Sequence, residues 1–114
     1  MPFDPLYVPD RGDVVWIDFD PQIGHEQASR RPALVLSPND YNKKTGLTVV
    51  CPITNKIKGY PFEVVIPGGF KVGGVILSDQ VKSLDWKGRR AEYLCDLPAS
   101  VLDDVVDKIL ALID

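Results

Sequence analysis

A single histidine, His25, and two cysteines, Cys51 and Cys95, are spread over 114 residues. A structural zinc site takes four Cys or His ligands, so these three cannot assemble one. Acid–base chemistry by a histidine pair is excluded for the same reason. Both cysteines sit inside apolar runs, which reads as buried free thiols in a reducing compartment rather than a disulfide framework. No apolar run approaches the length of a membrane span. The N-terminal "MPFDPLYVPD" has neither a basic start nor the apolar segment of a secretory signal. A cytoplasmic protein without metal or cofactor is the expectation.

An excess of positive charge is also missing, since 16 acids against 13 bases leave −3. That argues against a nucleic-acid partner until the distribution is read. Residues 1–29 hold six acids and one base, residues 30–90 eleven bases and four acids, and residues 91–114 six acids and one base. A basic middle of +7 between acidic ends is compatible with a basic groove on an acidic protein.

What the chain has in quantity is short apolar segments. Apolar content of 45% and charged content of 25% are globular values. A chain this long buries roughly two-thirds of its unfolded surface, enough for one domain over residues 1–114. "DVVWIDFD" (13–20) alternates, with Val15, Ile17 and Phe19 on one face and Trp16, Asp18 and Asp20 on the other. "PALVLS" (32–37) is nearly continuous, as a strand covered on both faces would be. Turn residues follow, with room for one helical turn after Pro38. "LTVVCPIT" (47–54) is the next strand, and Pro52 marks an edge or bulge within it. "FEVVI" (62–66), "VILSDQVKSLDW" (75–86, one long strand or a bent pair) and "RRAEYLC" (89–95) complete the sheet.

The last segment changes period. Val101, Val105, Ile109 and Leu112 form one stripe, with Leu102, Val106, Leu110 and Ile113 beside it, and Pro98 suits the first turn. Short strands followed by one amphipathic helix indicate a mainly β fold, a small partly open barrel with the helix packed across it.

Ionisable chemistry is concentrated in "GHEQASRRPALVLS" (24–37), where base, acid, amide and two arginines precede a rigid strand. Arg31 has the planar fork that grips phosphate oxygens. Glu26 is a candidate base, or the group that orients Arg31. His25 has a pKa suited to proton transfer but reads equally as a solvated loop residue. Thr54 offers a hydroxyl at a strand end. Trp16, Tyr60, Phe62 and Trp86 are able to stack bases, although packing explains most of them.

The stretches "GDVVWIDFDPQIGHEQASRRPALVLSP", "YNKKTGLTVVCPIT", "KGYPFEV" and "SDQVKSLDW", in this order, resemble the MazF/PemK family of toxin endoribonucleases, the mRNA interferases. The resemblance covers nearly the whole chain. It implies an SH3-like, CcdB/PemK-like barrel, a homodimer and a small MazE-like antitoxin as partner. It also implies metal-independent, sequence-selective cleavage of single-stranded RNA. By position, Arg31 and Thr54 match the pair the family uses at the scissile phosphate, and Glu26 an acidic loop position tied to activity. The family's RNA-reading surface falls on Asp18, Asp20, His25, Gln27, Asn42, Lys58, Gln80 and Lys82. The competing reading is a non-catalytic, CcdB-like toxin that acts by binding a protein such as gyrase. The loop arginine Arg31 and the strand-end Thr54 separate the two readings.

Overall fold

The computed structural model describes residues 4, 6–19 and 30–114. In chain order these form β1 (Asp13–Asp18), β2 (Arg30–Val35), α1 (Asn39–Thr45), β3 (Leu47–Thr54), β4 (Glu63–Val65), β5 (Val75–Leu77), β6 (Lys82–Asp85), β7 (Glu92–Asp96) and α2 (Ala99–Ile113). Every strand pairing among the described residues is antiparallel. The order is β4-β5-β3-β2-β1-β7, with β6 also paired to β3. This is the mainly β architecture with a C-terminal helix that the sequence predicts.

β3 is the hub. One edge pairs with β2 (Ala33↔Pro52, Leu34↔Cys51, Val35↔Val50). The other pairs with β6 over Leu47–Val50 and then with β5 at Ile53 and Thr54. The segment 75–86 is therefore a bent pair, its two strands meeting different stretches of one partner. Pro52 falls in the interval between them, where neither β6 nor β5 pairs. A residue with no N–H is tolerated at such a break.

Apolar side chains pack on both sides of the sheet. Val14, Leu34, Cys51 and Ile53 form one cluster with Val101, Leu102 and Val105 of α2. Val15, Ile17, Ala33, Val35 and Val50 form a second with Phe19, Leu84 and Trp86. Successive residues of β2 thus enter different clusters, which is why "PALV" does not alternate. The helix buries less than its sequence offers. Val101, Leu102 and Val105 are buried and Ile109 packs against the cluster, whereas Leu110, Leu112 and Ile113 are exposed. The last turn extends beyond the cluster it was expected to cover.

α1 is pinned by one buried residue. Asn42 is fully buried; its amide donates to the carbonyls of Pro9 (2.8 Å) and Ser37 (3.0 Å), and its oxygen accepts from the Ser37 hydroxyl (2.6 Å). The Asn42 carbonyl also accepts the Trp86 indole N–H at 2.8 Å. Gly46 ends the helix at φ 75°, a left-handed turn that glycine adopts without strain.

Candidate nucleic-acid interface

The β2–β3 register explains why two residues distant in sequence form one site. Ala33 faces Pro52. Continued two residues beyond that pair, the same register sets Arg31 toward Thr54 on one face of the ladder. Both line an open pocket of about 240 Å³, together with Lys56, Lys58, Tyr60, Phe62, Glu63, Leu77, Asp79 and Gln80. Arg31 is exposed, and no carboxylate among the described residues pairs with it.

The pocket wall is built by backbone–side-chain bonds. The Thr54 hydroxyl oxygen accepts the Lys56 N–H at 3.1 Å, which turns the chain back and leaves the hydroxyl proton free to donate. Glu63 accepts the N–H groups of Lys58 (3.1 Å) and Gly59 (2.9 Å), holding the 56–60 loop over the pocket. Arg31, Lys56 and Lys58 outnumber the Glu63 and Asp79 carboxylates, so the pocket keeps a net positive charge. The Lys58 ammonium stands 5.7 Å from the centre of the Tyr60 ring. Behind Thr54, Gly74 packs so close that a Cβ there would sit 2.2 Å from the Thr54 carbonyl oxygen. A second pocket, of about 190 Å³, opens on the other side of Thr54 against Trp16, Pro32, Asn55, Lys71 and Leu94.

The structure brings together Arg31, Thr54, Lys58, Tyr60, Phe62 and Gln80 of the residues singled out from the sequence. It separates others. Asn42 is corrected to a structural residue, since its fully buried amide is spent on Pro9 and Ser37 and presents nothing to a ligand. Asp18 is engaged in ion pairs instead of lining the Arg31 pocket. Both its carboxylate oxygens are taken, by Arg30 (3.1 Å) and Arg90 (2.9 Å). Burial works against its charge, but those hydrogen bonds and cations outweigh burial and hold its carboxyl below the usual value. Lys82 is exposed on β6, its ammonium 5.8 Å from the Phe19 ring centre and outside the lining of the Arg31 pocket. Asp20, His25, Glu26 and Gln27 lie outside the described residues.

Sequence reasoning missed Lys56, Glu63 and Arg30. Lys56 lies beyond the end of β3, and only the turn pinned by the Thr54 hydroxyl brings it to the pocket. Glu63 carried a weak signal: the turn "KGYP" folds the chain back so that Glu63 meets the amides of Lys58 and Gly59. Arg30 carried none, since its partners come from two other strands and a turn.

Residues 10–113 match the family described as PemK-like, MazF-like toxin of type II toxin–antitoxin systems. The chain is 50% identical over 107 residues to the endoribonuclease toxin MazF of Escherichia coli K12, covering 94% of this chain and 96% of that protein. It is 34% identical to the endoribonuclease EndoA of Bacillus subtilis, covering 91% and 96%. Among solved structures, a MazE–MazF crystal structure from Deinococcus radiodurans superposes with a TM-score of 0.90 at 56% identity, covering 94% and 96%. Fold and sequence agree: this chain belongs to the PemK-like, MazF-like family of type II toxins.

Proposed function

We propose that the chain is the toxin of a type II toxin–antitoxin pair and an endoribonuclease that cuts single-stranded RNA without a metal. The observation that supports this most directly is the shared pocket of Arg31 and Thr54, the two residues that the family resemblance singles out. In the proposed reaction the ribose 2′-hydroxyl attacks the adjacent phosphorus and the P–O5′ bond breaks. The products are a 2′,3′-cyclic phosphate and a 5′-hydroxyl; the 2′ proton passes to a base and the leaving oxygen takes one up. The Arg31 fork grips the phosphate and stays cationic as charge builds on its oxygens. Thr54 donates its hydroxyl to the same oxygens, with its own lone pair already engaged by Lys56. Glu26 is proposed as base, or as the group that orients Arg31.

Lys58 and Gln80 line the path of the bound strand, the first for a phosphate and the second for an unpaired base edge. The relative of known structure was crystallised as a MazE–MazF complex, and a MazE-like antitoxin is the proposed partner here. An acidic segment laid in the cationic pocket is the expected mode of inhibition. A homodimer acting in the cytoplasm completes the proposal; no helix among the described residues is long and apolar enough to cross a membrane. Nothing in the pocket or the relatives supports the gyrase-binding alternative.

The test is incubation with single-stranded RNA in EDTA, followed by analysis of the new ends. Cyclic-phosphate ends are expected, with Arg31→Ala folded but inactive. A strict Mg²⁺ requirement, or full activity in Arg31→Ala, overturns the mechanism.

A further inference from the structure

Asp18 and Arg30 are the last register pair of the β1–β2 ladder, and the next pair inward is Ile17↔Arg31. The end of a two-stranded ladder frays unless something holds it. Here a knot of charges does. Arg30 donates to the Asp18 carboxylate (3.1 Å), the Glu92 carboxylate (2.7 Å) and the Arg90 carbonyl (2.9 Å). Arg90 donates to both oxygens of Asp18, at 2.9 and 3.3 Å. The Asp18 backbone is held as well: its N–H donates to the Arg89 carbonyl (3.0 Å) and its carbonyl accepts from the Arg89 guanidinium (3.1 Å). That guanidinium also donates to the Phe19 carbonyl.

Two features mark this knot as more than surface charge. The Asp18 carboxylate accepts three hydrogen bonds from two arginines, and its backbone N–H and carbonyl are both bonded to Arg89. Arg90 is the only non-glycine with positive φ among the described residues, at 54°. Such strain persists where surrounding contacts demand it, and here it turns the Arg90 guanidinium back onto Asp18.

We propose that Arg30, Asp18 and Arg90 form a brace that positions Arg31, and that they are positioning residues for cleavage rather than RNA ligands. The inference rests on Arg31 being the phosphate-gripping arginine. Neighbours on a strand point to opposite faces, so Arg30 is anchored on one face while Arg31 reaches into the pocket on the other. Fixing Arg30 fixes the backbone from which Arg31 extends. A catalytic group misplaced by about 1 Å loses on the order of 100-fold in rate.

Two variants test the brace. Arg30→Gln removes the charge at its centre. Arg90→Gly deletes both bonds to Asp18 while accepting φ 54° without strain, so it keeps the fold. Single-turnover cleavage is compared with binding of an oligonucleotide lacking only the 2′-oxygen at the cut. The rate is expected to fall about tenfold in Arg30→Gln and a few-fold in Arg90→Gly. Binding should stay within about twofold, with an unchanged salt slope. Arg30→Lys should recover part of the rate, and adding Asp18→Asn to Arg30→Gln should lower it no further.

Weakened binding with a salt slope shallower by about 0.7 would make Arg30 an RNA ligand and overturn the brace. So would wild-type rates in both variants. If the wild-type protein cuts no RNA, the proposed function fails, and the brace is read by NMR instead. The Arg31 amide and Nε–H signals must then shift in Arg90→Gly, and unmoved signals overturn it.

Discussion

Replacing Gly74 by alanine should damage stability and cleavage together. At this position φ is +96°, and an added Cβ would stand 2.2 Å from the Thr54 carbonyl oxygen and 2.9 Å from its carbon. Carbon and oxygen tolerate about 3.3 Å, so the Thr54 backbone must retreat by roughly 1 Å. Left-handed backbone alone costs an L-residue roughly 1–2 kcal/mol. With the displacement added, the total is about 2–4 kcal/mol, which lowers the melting temperature by about 10–15 °C. The retreat moves the hydroxyl proposed to touch the phosphate, and a shift of that size costs on the order of 100-fold in rate. The neighbouring Gly73 is the internal control, because a Cβ there meets nothing within 4 Å and its φ is ordinary. Thermal melts and single-turnover cleavage of a labelled RNA, both for Gly73→Ala and Gly74→Ala, read the two effects. An unchanged melting temperature in Gly74→Ala would refute the close approach. A lowered melting temperature with a full rate at 25 °C would refute the link from Gly74 through Thr54 to the phosphate.

Asn42→Ala should cost about 2–4 kcal/mol in denaturant unfolding, because it strands the buried carbonyls of Pro9 and Ser37, while RNA binding stays at the wild-type level. A loss of RNA affinity at unchanged stability would restore Asn42 to the interface. Asp18 is held below its ordinary pKa, so its charged form favours the fold. That contribution is complete above the unfolded value of about 3.9 and disappears as pH falls through the lower folded value. The melting-temperature gap between wild type and Asp18→Asn should therefore be flat from about pH 7 to 5 and close in stronger acid; a gap that widens there contradicts the ion pairs. Burial, with a smaller push from the Asp79 charge, raises the Cys51 thiol to about 12. In a Cys95→Ser background, which removes the half-buried second thiol, Ellman's reagent should reach Cys51 only after unfolding, and rapid labelling of that native protein at neutral pH would show the packing around β3 to be wrong.

Most of the fold was legible because hydrophobic period maps directly onto burial. The alternation in β1, the unbroken run of β2 and the period change at α2 each correspond to a distinct surrounding. Misreadings arose where tertiary neighbours decide. Asn42 looks like any polar residue in "NDYNKKTG", and only the arrival of Pro9 and Ser37 turns it into a buried clasp. Nothing in the α2 pattern says that the cluster it covers stops at Ile109. In the site, Arg31 and Thr54 were legible through family resemblance and then through a register that no local signal encodes. For Asp18 the limit is complementary: alternation placed it outward, but could not show that three arginines bond it there.

The three partners of β3 also bear on when the protein becomes dangerous to its maker. Arg31 and Thr54 leave the ribosome early, yet the strands that flank Thr54 and Leu47–Val50 are contributed by residues 75–77 and 82–85. A nascent chain therefore lacks the strands that flank the proposed site until residue 85 has been made. A fragment ending at residue 74 should leave RNA intact although it carries both side chains, and cutting by such a fragment would show that the hub is dispensable.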